Sequence, residues 1–324
     1  MSRLTVRSPA KVNLTFDILR ILPDGYHEVE TLLQSIDLAD TLNFTFEQAD
    51  QFTVSLSCQP NDKDFPLDNS NLVAKAAHLF FMHADNALPK INVRVHIDKQ
   101  IPIAAGLAGG SSNAAATLLA CNTYCHDRLA TKELLALCEQ LGADVPFCLV
   151  GGTQIGTRRG DRLLPARLLQ PLSLVIVKPQ EISIATPWVY AAYDRHQENE
   201  PASAGQKPST KSAVEAFARG DFAHALSCLG NAFEPVVFEH YKGLPLLQER
   251  LLDLGCQACH LTGSGPTFYG ITKDPEAAHY IREQLILDQS EGRSKWSDHL
   301  KLTLDCHVAQ SINHGVFLAQ TPVK

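Results

Sequence analysis

Pro102-Ile-Ala-Ala-Gly-Leu-Ala-Gly-Gly-Ser-Ser-Asn-Ala-Ala-Ala-Thr117 is the stretch from which the fold is read. It follows an alternating apolar pattern (Ile91, Val93, Val95, Ile97) and leads into an alanine-rich segment ending near Asn122. Period-two alternation predicts a strand and the alanine run a helix, so the order is strand, glycine loop, helix. Gly106, Gly109 and Gly110 can adopt positive φ and place no Cβ in a ligand's way. Backbone N–H groups of such a loop converge on an anion, helped by the positive end of the helix that follows. Ser111 and Ser112 stand where they either cap that helix or donate hydroxyls to a phosphate. Ala114, Ala115 and Ala116 make a slim helix able to lie close to a sheet. A polyphosphate fits this arrangement; a glycine turn without a ligand is the plainer alternative.

Two familiar phosphate loops are excluded. No lysine follows Gly110, as a Walker loop requires, and the spacing G-x-G-x-x-G is absent. The chain has 324 residues, 45% hydrophobic and 19% charged, which suits a globular protein of one large domain or two ordinary ones. A formal net charge of −7 argues against a broad nucleic-acid surface, while leaving room for a local basic pocket. No apolar run approaches the roughly 20 residues of a membrane helix, and Met-Ser-Arg-Leu-Thr-Val-Arg-Ser-Pro is no signal peptide. A cytoplasmic protein with no membrane partner, a monomer or weak homodimer, is expected. Nine cysteines scattered from Cys58 to Cys306 read as reduced thiols. Cys256-Gln-Ala-Cys259-His260 has the C-x-x-C-H spacing of haem attachment. Without export or a second cysteine pair, half-buried thiols before a turn are the better reading.

Elsewhere the motifs are individually modest. Val12, Leu14, Phe16 and Ile18 alternate with Lys11, Asn13, Thr15 and Asp17, predicting a strand. On the pattern alone the polar face is read as solvated rather than as a cleft lining. Pro23-Asp24-Gly25 signals a turn presenting Tyr26 and His27. Helical spacing begins at Asn71, with Asp68, Asn69 or Ser70 as cap, and again over 131–141 with Thr131 as cap. Asp144, before Val-Pro-Phe147, is either the N-cap of a further helix or a candidate general base. Leu172 to Pro179 reads as a buried strand, Thr186-Pro187 as a helix start, and 195–212 as a polar, mobile surface loop. Gly263-Ser264-Gly265 is a second glycine loop, a hairpin turn or a second approach to the phosphates.

Taken in order, Ser8 to Leu14, Pro23 to Glu28, Pro102 to Ser112, Gly142 to Phe147 and Leu261 to Gly265 resemble the motifs of the GHMP kinases. These are galactokinase, homoserine kinase, mevalonate kinase and relatives, whose ATP motif is P-x-x-x-G-L-x-G-G-S-S/A. The resemblance implies an α+β fold in two lobes, 1–168 resembling the second domain of ribosomal protein S5 and 169–324 ferredoxin-like. It implies ATP as co-substrate with Mg²⁺. Asp24-Gly-Tyr-His-Glu28 points to the branch that phosphorylates the 2-hydroxyl of a cytidine-diphosphate-linked methylerythritol in the non-mevalonate isoprenoid route.

Residue by residue, the resemblance makes Lys11 and Asp144 the catalytic pair, Asp144 the base and Lys11 its support. Pro102, Ile103, Ala104, Ala105, Gly106, Leu107, Ala108, Gly109, Gly110, Ser111 and Ser112 would hold the triphosphate, with Asn71 and Lys99 near the adenine. Asn13, Tyr26, His27, Thr186 and Tyr190 would take the cytidine-bearing substrate, His27 bonding the base and Tyr190 stacking. Another kinase of the same family and a non-catalytic binding protein are the alternatives. Ala104, Ala105 and Ala108 stand where many relatives carry extra glycine, which is harmless unless positive φ is required there. The loop 195–212 and an insert near 289–299 are long for the family and suggest no function.

Overall fold

β1 (Ser2–Ile21) and β2 (His27–Gln48) form the long antiparallel hairpin on which the rest is assembled. They turn at Leu22 to Tyr26, where Gly25 has φ 83°. The structure, a computed structural model, describes residues 2–60, 65–85, 89–199, 207–291 and 302–319. β2 is long enough to serve two partners: Thr41–Gln48 pairs with β4 (Ile91–Asp98), and Thr31–Gln34 with β5 (Thr153–Thr157). β3 (Thr53–Gln59) runs parallel to β4, and β6 (Arg162–Ala166) closes on β5. Two short strands from late in the chain, β8 (Gly230–Asn231) and β12 (Phe317–Leu318), pair with β1.

α1 (Leu72–Asp85), α2 (Gly109–Tyr124), α3 (Thr131–Leu141) and α4 (Val145–Val150) cover this sheet. Phe44, Phe46, Val93 and Val95 meet Phe80, Phe81, Leu118 and Phe147 in one apolar cluster. Ala114, Ala115 and Ala116 are wholly buried, so the slim helix does lie against the sheet.

The second sheet holds β7 (Ser173–Pro179), β9 (Ala258–Leu261), β10 (Phe268–Thr272) and β11 (Leu304–Gln310) in the order β11-β7-β10-β9, all antiparallel. α5 (Thr186–Asn199), α6 (Thr210–Arg219), α7 (Phe222–Ser227), α8 (Glu234–His240) and α9 (Gly243–Asp253) link its first two strands. α10 (Pro275–Glu291) links the last two. That is the ferredoxin-like path, with extra helices in the first crossover. Another apolar cluster joins the sheets: Val12, Leu14, Ile101 and Leu107 pack with Leu174, Ile176, Phe217 and Tyr269. The buried Tyr269 hydroxyl donates to the Leu14 carbonyl across this seam at 2.6 Å.

Several local expectations change. The polar face of β1 is not solvated: Lys11, Asn13 and Thr15 are all buried, because loops from residues near 107 and 262 cover it. Asn71 caps α1 itself, accepting from Val73 N–H at 2.9 Å, and Asp68 bonds Ser70 instead. α3 is capped at Ala130, whose N–H donates to the Glu133 carboxylate, so Thr131 is its first helical residue. Within 195–212, Arg195–Asn199 end α5 and Thr210–Ser212 begin α6, while 200–206 lie outside the described residues. Of the insert near 289–299, residues 289–291 finish α10 and the remainder lies outside the described residues.

The glycine loop holds the largest correction. Gly109 and Gly110 are helical, in the first turn of α2. The left-handed positions are Ala104 (φ 52°), Gly106 (φ 72°) and Ala108 (φ 56°). The two alanines therefore carry strain of about 1–2 kcal/mol each. Glycine has its own entropic cost of about 0.5–1 kcal/mol, so relief should be partial. The exposed Ala104 gives the cleaner case, since the Ala108 methyl packs on the first core. Ala104→Gly is expected to stabilise by about 0.5–1 kcal/mol, read as a raised urea midpoint, and Ala108→Gly by less. A lowered midpoint for Ala104→Gly would contradict this reading of the loop.

Candidate active site

The strand β1 is irregular at Pro9/Lys11, and this break lets the loop dock on it: Lys11 N–H donates to the Leu107 carbonyl at 3.1 Å. The Lys11 side chain, 4% exposed, is largely shielded from solvent. Its ammonium donates instead to Asn13 Oδ1 at 2.7 Å and the Gly106 carbonyl at 3.0 Å, and lies 3.7 Å from Asp144 Oδ2. Two neutral oxygens accept hydrogen bonds from the ammonium and a carboxylate stands near enough to balance its charge, which suits a buried ammonium.

Asp144 stands at the N-cap position of α4, yet its side chain makes no cap bond. It is 41% exposed, so the carboxylate touches Lys11 on one side and remains open to the cleft on the other. Of the two roles open for an acid at this position, capping is the one the geometry does not use.

Asn13 holds the lysine in place. Its Oδ1 accepts from Lys11 and from the Thr262 hydroxyl, and its Nδ2 donates to Thr31 Oγ1 at 2.8 Å. Its backbone N–H donates to Thr262 Oγ1 at 3.0 Å. Thr262 belongs to the second glycine loop, a hairpin turn between β9 and β10 whose Gly263 and Ser264 also line the cleft. Gly106 packs on that turn so closely that a Cβ would lie 2.4 Å from the Thr262 carbonyl oxygen. The two glycine loops are therefore one assembly.

These groups border a cleft of about 780 Å³. Pro102 to Ser111 line one wall, with Asn71 and Lys99 behind; Asp144, Thr186 and Tyr190 line another. Ser112 is turned away: buried, it donates to the Pro9 carbonyl at 2.7 Å and accepts from Ser8 at 2.8 Å. Lys99 borders the cleft, but its ammonium is engaged with the fully buried Asp40 at 2.8 Å and the Ile101 carbonyl. Asp40 also accepts from Gln100 and Ile101 N–H, so this ion pair anchors the entry to the loop. Burial, with the Asp144 charge adding to it, pushes the Tyr190 phenol up to about 12, keeping it protonated at neutral pH.

Tyr26 and His27 do not line the cleft wall; each touches a residue that does. The His27 ring lies 4.5 Å from that of Tyr190 and bonds Asp194, and Tyr26, 55% exposed, lies beneath the Arg159 guanidinium at 4.2 Å. Arg159, Thr262 and Asp194 escaped the sequence reading as site residues. Arg159 lies in the turn between β5 and β6, Thr262 within the second glycine motif, and Asp194 one helical turn after Tyr190. Cys256 and Cys259 are buried, burial pushes the Cys256 thiol up to about 12, and His260 pairs with Glu234 at 3.2 Å. Those thiols are more fully buried than expected. Among the described residues no cluster of three or more His, Cys, Asp or Glu is arranged to hold a metal, and no helix is long and apolar enough to cross a membrane.

The family description "GHMP kinases N terminal domain" matches residues 71–152, and "GHMP kinases C terminal" matches 211–288. The 4-diphosphocytidyl-2-C-methyl-D-erythritol kinase of Pelotomaculum thermopropionicum is 38% identical over 86% of this chain and 92% of its own length. That of Synechococcus elongatus is 36% identical over 98% of both. A crystal structure of 4-(cytidine 5'-diphospho)-2C-methyl-D-erythritol kinase superposes with TM-score 0.73 at 30% identity, covering 96% of this chain and all of the other. Homoserine kinase from Cytophaga hutchinsonii, at 17% identity and TM-score 0.73 over 98% of both chains, shares the fold. With both domains matched and relatives alike from end to end, this chain belongs to the GHMP kinases, in the 4-diphosphocytidyl-2-C-methyl-D-erythritol kinase family.

Proposed function

We propose that this enzyme transfers the γ-phosphoryl group of ATP to the 2-hydroxyl of 4-diphosphocytidyl-2-C-methyl-D-erythritol, with Asp144 as the base. The observation that carries the mechanism is the Lys11–Asp144 pair, 3.7 Å apart beside the glycine loop, with the carboxylate open to the cleft. At that separation the charges attract without a hydrogen bond consuming an oxygen, so Asp144 can still accept the hydroxyl proton. Lys11 supplies positive charge where the attacking oxygen gains negative charge.

Phosphoryl transfer asks chiefly for in-line placement and charge neutralisation. Residues Pro102 to Ser111 would cradle the triphosphate with backbone N–H groups, at the positive end of α2. Ser112 is spent on structure and drops out of that set. Asn71 and Lys99 would border the adenine side through their carbon surfaces, their polar atoms being engaged with the fold. Mg²⁺ fits the site's chemistry, since the Ser111 hydroxyl offers an oxygen donor in the cleft and a nucleotide supplies the rest. When bound it would neutralise the phosphate oxygens.

On the acceptor side, Thr186 and Tyr190 would contact the substrate, while Tyr26 and His27 would hold the cytosine from the rim. Asn13 acts through Lys11 rather than on substrate, because both ends of its amide are taken. Residues 1–168 would serve ATP and 169–324 mainly the acceptor, with Gly263 and Ser264 bridging them.

Asp144→Asn is expected to lower kcat by about 10²–10⁴ while the KM for ATP stays within about threefold. Unchanged turnover would remove the base assignment. Gly106→Ala, which forces a Cβ against the Thr262 carbonyl at a left-handed position, should cost several-fold or more in kcat/KM for both substrates. Near-wild-type kinetics would show that the two loops need not touch. ATP consumption with the cytidine-linked acceptor, set beside mevalonate, homoserine and galactose, tests the substrate: turnover of one of the last three instead would move the chain elsewhere in the family.

A further inference from the structure

Tyr190 and Asp194 stand four residues apart on α5 and so project from one face of that helix. Both meet the same ring. Tyr190 covers a face of His27 at 4.5 Å between centroids, and Asp194 Oδ1 lies 2.7 Å from its Nε2. The side chain of His27 is only 12% exposed, so the ring is held on face and edge together. Asp194 itself does not line the cleft and touches neither Lys11 nor Asp144.

An ionised carboxylate accepts hydrogen bonds and donates none, so the Nε2 that faces it carries the proton. In the neutral ring the lone pair then belongs to Nδ1, which makes no hydrogen bond among the described residues. We propose that Asp194 is a positioning residue that fixes His27 in the Nε2–H tautomer, and thereby makes this end of the site prefer cytosine to uracil. The inference rests on the cytidine-bearing acceptor proposed above. Cytosine presents an exocyclic N–H where uracil presents a carbonyl oxygen. An Nδ1 lone pair accepts from the first and repels the second. A pyrimidine whose polar edge is left unpaired loses on the order of tenfold or more in affinity.

Asparagine at 194 lifts the constraint. Its amide can turn to offer N–H, which makes Nε2 the acceptor and moves the proton to Nδ1. Glutamate keeps the acceptor.

The test uses the full-length protein labelled with ¹⁵N-histidine, and titration calorimetry with cytidine diphosphate and uridine diphosphate. The nucleotide loop is filled by a non-hydrolysable ATP analogue during the titrations. The wild type is expected to show the Nε2–H tautomer at His27 and to bind cytidine diphosphate at least about tenfold more tightly. Asp194→Asn should bring the two ligands to within about threefold, and Asp194→Glu should restore the preference. An Nδ1–H tautomer in the wild type, or an unchanged preference in Asp194→Asn, overturns the proposal. Should Asp194→Asn not fold, the wild-type tautomer still decides. Equal binding of the two ligands by the wild type would instead sink the cytidine reading of the acceptor, with the tautomer separately judging the Asp194 pairing.

Discussion

A single buried ammonium organises this molecule. Removing a charge from water costs several kcal/mol unless partners replace the lost solvation, and removing one partner leaves that cost exposed. Lys11 meets it with Asn13 from its own strand, Gly106 from the glycine loop and Asp144 from the start of α4. Each acceptor belongs to a different element, so satisfying the charge places all of them at once. The same partners that keep Lys11 buried bring a carboxylate beside the glycine loop.

The constraint spreads outward through Asn13. Its amide reaches Thr31 on β2 and Thr262 on the second glycine loop, so the lysine's position is fixed from both sheets. Tyr269 ties the same region at the Leu14 carbonyl, and Gly106 leaves no gap between the loops. Two left-handed alanines, Ala104 and Ala108, add strain nearby. The entry to the loop is anchored by the buried Lys99–Asp40 pair.

Much of this is legible in the chain. The strand–loop–helix order follows from periodicity, whereas the ferredoxin-like lobe and the meeting of Lys11 with Asp144 are implied only by the resemblance of the ordered motifs to the GHMP kinases. What escapes is physically instructive. The polar face of β1 looks solvated because its cover comes from residues far along the chain, which no local pattern records. The left-handed alanines are hidden because glycine is the usual mark of that conformation, and the visible glycines at 109 and 110 are helical. Arg195–Asn199 read as loop because charged and amide residues end a helix without an apolar stripe. Asp194 is invisible as a partner of His27, 167 positions away.

Lys11 and Asp144 should act as one unit, and a double-mutant cycle on kcat/KM tests this most directly. Groups that share one task lose it together, so their losses do not add. Lys11→Met combined with Asp144→Asn is expected to be about as slow as the slower single variant. Losses that multiply in full would mean two independent roles, and a buried ammonium that merely neighbours the carboxylate without serving it.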